Sequence, residues 1–491
     1  MNKSDGFKQY LNDFLKKYGI SDQFNNTFSC PGIYVVGGAV RDFLIGLQPA
    51  DFDFLLMTAD YNNDDIQHFS DKIKKCPIEL GKKDDKTIRF SICEEQYLDF
   101  LFADDLEEDI NRRDFTVNSL IYDVYKNEFI DRVNGLEDIE NRILKANSER
   151  VIKDDPLRII RGYRFLEYGF ELEEVTREYF QQYNSLINNV AVERIMSELF
   201  KILAYSNSHK ILGMMYKDGV LEALFPILKE MEKCTQNRFH HLNVLEHSLK
   251  VIEYIEVLSQ KPFIIDKISE KKIREICMHE HVLQTLNEIS EKVQNPGLLK
   301  LAALFHDSGK PATKKYNEKK EDISFYSHEN LSSSLFNDIA ISFKISNLSK
   351  KFIDVIIKHH MNASIFSNLN AGKKAYYRLL KKIGSDFIYD FLLFSFCDRL
   401  GAFGKETTQK DLQDFNSGIR RMLQYVAQMN EKIQKPLIMG RDLLDIFIIE
   451  PNQIFSVILD DIEEKYSTGE ISDFETAVEY IQENYHLSKR N

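Results

Sequence analysis

The segment IYVVGGAVRDFLIGLQPADFDFLLM, residues 33–57, constrains this chain more than any other feature. A strand-like run breaks at Gly37-Gly38, apolar residues with helical spacing follow, and a second strand-like run carries Asp51 and Asp53 two positions apart. Residues two apart in a strand project from one face, so the two carboxylates stand together while Phe52 and Phe54 turn to the other side. Like charges that close repel unless a cation sits between them, and hard carboxylate oxygens suit Mg²⁺, which also binds phosphates. The glycines permit close backbone approach and a helix start favours anions, with Arg41 in the first turn adding a charge for a phosphate. A tight turn followed by a solvated edge strand would give the same letters, so the remaining sequence has to decide.

Strand-like runs continue through TIRFSI, YLDFLFA, SLIYDV and EFIDRV, with short helical stretches between them, the pattern of a small mixed α/β unit. Asp99, in YLDFLFA, is the best candidate for a third carboxylate beside Asp51 and Asp53; the alternative is an ordinary exposed strand aspartate. From about Asn141 onward the apolar period is almost entirely helical. At 491 residues the chain exceeds one core. The reading is an α+β protein with a head at 1–140, a helical neck and body at 141–235, a histidine-bearing helical region at 236–405 and a helical tail at 406–491.

A net charge of −13 argues against a protein that coats nucleic acid nonspecifically, since such binding comes from Lys and Arg neutralising many phosphates. It leaves room for a shaped, locally basic RNA site. The six cysteines are scattered with no C-x-x-C pair, which suggests no disulfide framework or thiolate zinc site, and ordinary buried thiols are expected. No apolar run approaches the roughly 18 residues of a membrane span, and the first residues lack the pattern of a signal peptide, so a cytoplasmic protein without membrane contact is expected.

In DDPLRIIRGYRF, Asp154, Asp155 and Arg158 fall at i, i+1 and i+4, which on a continuous helix places Asp154 and Arg158 on one face. A carboxylate accepts and a guanidinium donates. Cytosine and adenine each present an amino donor beside a ring-nitrogen acceptor, whereas uracil and guanine present the reverse. Leaving a buried polar group unmatched costs roughly 1–3 kcal/mol, enough to reject UTP and GTP at useful ratios.

Five motifs occur in order: GGAVRDFLIGLQPADFDF, RRDFTVNSLIYD at 112–123, DRVNGLEDIENRIL at 131–144, DDPLRIIRGYRF at 154–165 and VERIMSELFKIL at 192–203. Together they resemble the class II tRNA nucleotidyltransferases and bacterial poly(A) polymerases, the family of CCA-adding enzymes. The resemblance implies a polymerase β-type head with a mixed sheet, followed by an all-helical neck, body and tail. It implies Asp51, Asp53 and Asp99 as catalytic, with Mg²⁺ on Asp51 and Asp53. Nucleotide contacts would come from Gly37, Gly38 and Arg41, from Arg113 and Asp114 at the ribose, from Asp155 and Arg158 at the base, and from Arg112, Arg161 and Arg164 at phosphates. Asp154 stands where the family usually has Glu, which puts only the supporting role of that first acid in doubt. Glu193 and Arg194 resemble neck residues that orient the base-reading helix.

The product follows from a gap. Between Asp99 and Arg112 the chain has only FLFADDLEEDIN, no room for the flexible loop that the resemblance places there in CCA-adding and poly(A)-adding members. Its loss resembles the CC-adding enzymes, which use CTP on tRNA and leave the last A to a separate A-adding enzyme. Complete CCA addition with CTP and ATP, and poly(A) synthesis, are the alternatives on the same scaffold. An alternative of another class is a metal-dependent phosphohydrolase with a regulatory nucleotide-binding head.

A second ordered series, NVLEHSLKV, ALFHDSGKPA, FYSHENLSSS, IIKHHMNAS and FSFCDRLGAF, resembles the HD superfamily. His247, His306, Asp307 and Asp398 have its order, and His328 and His360 stand in place for a second ion, each expected on the inner face of a helix. Imidazole with carboxylate suits Mn²⁺, Ni²⁺, Fe²⁺ or Zn²⁺ better than Mg²⁺ and would serve phosphoester hydrolysis. Lys374, Arg378 and Lys382, four apart with Tyr376 and Tyr377 between, form a basic stripe expected either to touch RNA or to be solvated. The tail resembles helices that hold the tRNA elbow.

Overall fold

A computed structural model describes the chain apart from residues 1, 50, 82–85, 94–95, 237–241, 319–320, 404–407, 433–435, 451–452 and 491, and the side chains of 430–432 and 453. The boundary expected at 405/406 therefore lies outside the described residues. Two compact units are present: Met1–Glu198 with Met214–Leu224, and Leu199–Gly213 with Phe225–Asn491.

The first unit contains a mixed seven-stranded sheet. Its strands are β1 (Ile33–Val36), β2 (Phe52–Met57), β3 (Ile78–Leu80), β4 (Thr87–Cys93), β5 (Gln96–Ala103), β6 (Ile121–Asp123) and β7 (Glu128–Ile130), in the order β3-β4-β5-β2-β1-β6-β7. Only β2 and β5 pair in parallel; every other neighbour is antiparallel. The alternation of β2 puts Phe52, Phe54 and Leu56 into an aromatic core in which Phe54 stacks on Phe100 with ring centroids 5.1 Å apart. Asp53 and Leu55 take the opposite face. Each of the six strand-like runs read from the sequence is a strand. β3 was not read: all three of its residues are exposed, so no apolar alternation marks it.

The rest of the chain is mostly helical but not all-helical. A parallel pair, β8 (Ile143–Leu144) and β9 (Glu171–Leu172), ties the neck together, and an antiparallel hairpin, β10 (Lys314–Asn317) and β11 (Asp322–Phe325), follows the His306-Asp307 turn. The first pair, two residues to a strand, is too short to show a period of two, and the hairpin strands are mostly polar. In the second unit, helix Val244–Leu258 packs against Ile388–Gly401 and Pro296–Phe305. The tail helices Gly440–Ile446, Gln453–Thr468 and Phe474–Tyr485 enclose a small core of their own around Leu443, Phe447, Ile458 and Ile481. Among the described residues, no helix is long and apolar enough to cross a membrane.

Candidate active site and metal centre

β1 ends in a turn at Gly37, whose φ of 72° lies in the left-handed region that glycine tolerates. A Cβ there would meet the Arg113 guanidinium and the Asp53 carboxylate at 3.3 Å each, so the turn, a carboxylate and a cation converge on one point. Asp53 is paired in register with Asp99 on the parallel neighbour β5, and Asp99 in turn with Arg89 on β4. Among the described residues Asp53 has no hydrogen-bond donor or ion-pair partner. Burial first, and then the Asp99 charge, push its carboxyl up to about 6. Asp51, just outside β2, accepts a hydrogen bond from the Tyr97 backbone N–H at 2.8 Å, and burial raises its carboxyl as well.

Asp99 is differently placed from the third open ligand expected. Arg89 grips it with both edges of the guanidinium, Nε to Oδ1 at 2.8 Å and Nη2 to Oδ2 at 2.6 Å. The cross-strand register makes that pair, and sequence separation hid it. The other arginines are also engaged. Arg41 donates to Asp42 at 2.8 Å and to Asn118 at 2.5 Å, Arg161 lies 3.0 Å from Asp114, and Arg164 donates to Glu198 at 2.7 Å. Arg113 and Arg112 share buried Asp109, an acid the sequence reading passed over although it stands four residues before Arg113. Asp114 is buried and accepts from Asn118 at 2.8 Å.

The base-reading segment is not one helix. One helix ends at Asp154, Asp155 is extended, and the next runs Leu157–Arg164 after Pro156. Proline excludes the helical conformation from the residue before it, so Asp154 and Arg158 do not share a face. Asp154 pairs with Arg150 at 3.3 Å and is exposed, whereas Asp155 is held by Arg194 at 2.9 Å. Arg158 donates to the Val151 carbonyl at 3.1 Å, and its Nε is buried without a partner. Burial holds its guanidinium below the usual value.

In the second unit the six residues of the histidine series gather at one place. Among the described residues, two groups can hold an ion, His247 with His306 and Asp398, and Asp307 with His328 and His360, the ligand atoms of each within 4.8 Å of one another. Asp307 faces both: Oδ2 lies 3.1 Å from His306 Nε2, and Oδ1 lies 3.2 Å from His328 Nε2. His247 Nε2 is 3.0 Å from Asp398. His247 and Asp398 lie within helices. His306 and His360 follow the last turns of theirs, where unpaired carbonyls are available, and His328 opens its helix just after β11. His306 Nδ1 donates to the Ala303 carbonyl at 2.9 Å, His328 Nδ1 to Phe325 at 2.8 Å, and His360 Nδ1 to Ile357 at 2.6 Å. Those bonds fix the tautomer and leave three bare Nε2 lone pairs pointing inward. His328 Nε2 and His360 Nε2 approach to 3.1 Å, which two lone pairs do not do without a cation or proton between them. Among the described residues, His306 Nε2 and Asp307 Oδ1 are buried without a hydrogen-bond partner, while Asp307 Oδ2 is met by a lysine, and the imidazole and carboxylate donor set fits divalent ions. Gly309 lets the turn approach the His328 helix closely and donates its N–H to Ser332 at 2.8 Å. Lys310, not singled out from the sequence, sits 2.6 Å from Asp307 and donates to Gln236 at 2.7 Å. The centre opens on a cavity of about 340 Å³ walled by Phe325, Met361, Ser395, Arg399 and Phe415.

Two of the three cations of the basic stripe are spent within the fold, while Lys382 is exposed. Lys374 and Arg378 both reach Glu464 of the tail, at 2.7 and 3.3 Å, and Lys381 reaches Asp460 at 2.7 Å, while Tyr376 and Tyr377 are buried.

Three family models match the chain in order: the poly A polymerase head domain over residues 33–145, the probable RNA and SrmB-binding site of polymerase A over 169–232, and the HD domain over 244–381. The chain thus carries a poly A polymerase head domain, an RNA-binding region and an HD domain, and its relatives include tRNA nucleotidyltransferases and CCA-adding proteins. An A-adding tRNA nucleotidyltransferase of Deinococcus radiodurans is 24% identical over 92% of this chain and 95% of that protein. A multifunctional CCA protein of Actinobacillus pleuropneumoniae is 26% identical over 86% and 99%. One from Neisseria gonorrhoeae is 33% identical over 42% of this chain and 53% of its own length. In fold the chain is similar to a Thermotoga maritima CCA-adding enzyme complexed with tRNA, with a TM-score of 0.60 at 17% identity, covering 96% of each chain.

Proposed function

We propose that this protein adds nucleotides to the 3′ end of tRNA from CTP, acting in the cytoplasm and stopping after two cytidines. The observation that carries nucleotidyl transfer is the convergence of the Gly37 turn, Arg113 and the unpaired, desolvated Asp53 carboxylate. Asp51 and Asp53 would hold Mg²⁺, which supplies Lewis acidity for attack of the 3′-hydroxyl on the α-phosphate and for departure of pyrophosphate. The chain's own residues do the rest. Gly37 lets the triphosphate approach the backbone, and Arg113 balances its charge. Asp155, oriented by Arg194, accepts from the base amino group, while Arg158 donates to the ring nitrogen.

Stopping at CC is supported by the chain itself: β5 ends at Ala103 and the next helix begins at Leu106, so two residues join them. A second reading, addition of A alone, is favoured by the full-length similarity to the Deinococcus radiodurans enzyme. Incubation with tRNA trimmed before its last three nucleotides, and with tRNA already ending in CC, separates these readings by product sequence. Two added cytidines on the first and nothing on the second support CC addition; a single A on the second only supports A addition; CCA on the first refutes both.

The HD centre would hold one or two divalent ions, Mn²⁺, Ni²⁺, Fe²⁺ or Zn²⁺, on His247, His306, Asp307, His328, His360 and Asp398. Its cavity would admit a phosphoester for hydrolysis. Turnover of a 2′,3′-cyclic nucleotide across a metal series tests this, and no turnover with any of the four removes it.

A further inference from the structure

Arg89, Asp99 and Asp53 stand in one row across three adjacent strands, each in register with the next. The Arg89 guanidinium holds both Asp99 oxygens and lies over the Tyr97 ring at 4.6 Å, while the Tyr97 backbone N–H holds Asp51. Residue 97 is therefore shared between the arginine and the first carboxylate. Planar bidentate pairing and ring stacking together fix a guanidinium far better than a lone contact does. Asp99 itself is 7% exposed, so releasing it would leave a buried charge without its counter-ion.

We propose that Arg89 is a built-in counter-cation of the head: a positioning residue that withholds Asp99 from divalent ions and keeps the affinity of the site for free ions low. The proposal rests on the reading that Asp51 and Asp53 hold the metal. Three open carboxylates would bind a divalent ion tightly without nucleotide. With Asp99 neutralised, the site offers the two carboxylates of Asp51 and Asp53, and the third cluster of oxygens has to arrive with the triphosphate.

Mn²⁺ binding to the full-length protein, followed by electron paramagnetic resonance without nucleotide, tests this without reference to activity. The head's share is the part lost in Asp51→Asn/Asp53→Asn, which sets it apart from ions held by the HD centre. Arg89→Gln is expected to tighten that share by about tenfold, the effect of removing one nearby positive charge. Arg89→Lys keeps the charge and is expected to stay within about threefold of the native protein. The paired variant Arg89→Gln/Asp99→Asn, which removes both charges together, is expected to stay within about threefold of the native protein, because the pair is already neutral. A loss of about tenfold in the paired variant would make Asp99 a metal ligand and overturn the proposal, as would unchanged affinity in Arg89→Gln. Should Arg89→Gln fail to fold, the paired variant decides. If Asp51→Asn/Asp53→Asn removes no Mn²⁺, the proposal falls with the metal reading of the head, and that outcome is distinct from the other two.

Discussion

The head and the HD centre each assemble carboxylates for a divalent ion, but they prepare them in opposite ways. At the HD centre, backbone carbonyls lock three imidazoles in one tautomer, and six metal-ligating side chains gather in two groups. In the head, one carboxylate accepts a backbone N–H, one has no partner among the described residues, and the third is already bound to an arginine. On the proposed reading the HD site would keep its ion, whereas the head would take one up with its nucleotide.

The sharpest break in that comparison is a double dissociation. Asp51→Ala/Asp53→Ala is expected to lower nucleotide addition by about a thousandfold or more while metal-dependent phosphoester turnover at the HD centre persists. His306→Ala/Asp307→Ala is expected to remove HD-bound metal, measured by elemental analysis, and to leave addition intact. Loss of both activities in either variant would mean that the two sites do not work separately.

Next in size is base selection. Arg158→Ala is expected to reduce the preference for CTP over UTP by about 10–100-fold in kcat/KM, since a single unmatched buried group sets the discrimination. An unchanged ratio would take Arg158 out of base reading.

A smaller effect concerns stability and pH. The folded-state carboxyl of Asp53 lies at about 6 against an ordinary 3.8, so folding favours its protonated form. The group imposes no penalty below its ordinary value, an increasing one as pH rises toward 6, and a constant one above. Asp53→Asn should therefore stabilise the metal-free protein by about 3 kcal/mol near pH 7.5 and by well under about 1 kcal/mol near pH 4, read as melting temperature across pH. A gain that does not depend on pH would contradict the assignment. The smallest expectation is for Lys374→Ala/Arg378→Ala: because these cations are paired with Glu464, tRNA affinity should change by less than about threefold, consistent with about 1 kcal/mol or less for exposed ion pairs.

Much of this was legible in the sequence because the informative residues are close together in it. The Gly37 turn and the Asp51, Asp53 pair lie within one strand-turn-helix-strand unit, and six strands announced themselves by β-branched and aromatic runs. What was hidden depends on partners far away. Nothing near Asp99 points to Arg89, which the antiparallel register of β4 and β5 supplies. The stripe of Lys374 and Arg378 reads as free until the fold brings Glu464 beside it. The mistaken shared face of Asp154 and Arg158 was avoidable, since Pro156 between them forbids a continuous helix. The helix-end positions of His306, His328 and His360 could not be read, because apolar periodicity reports a helix's interior better than its limits.

The most direct test of the central claim is incorporation of labelled CTP into tRNA lacking its last three nucleotides, with Mg²⁺, by the native protein and by Asp51→Ala/Asp53→Ala. The expected result is two labelled nucleotides at the 3′ end with the native protein and none with the variant. Equal incorporation by both, or no incorporation from CTP or ATP by the native protein, would contradict it.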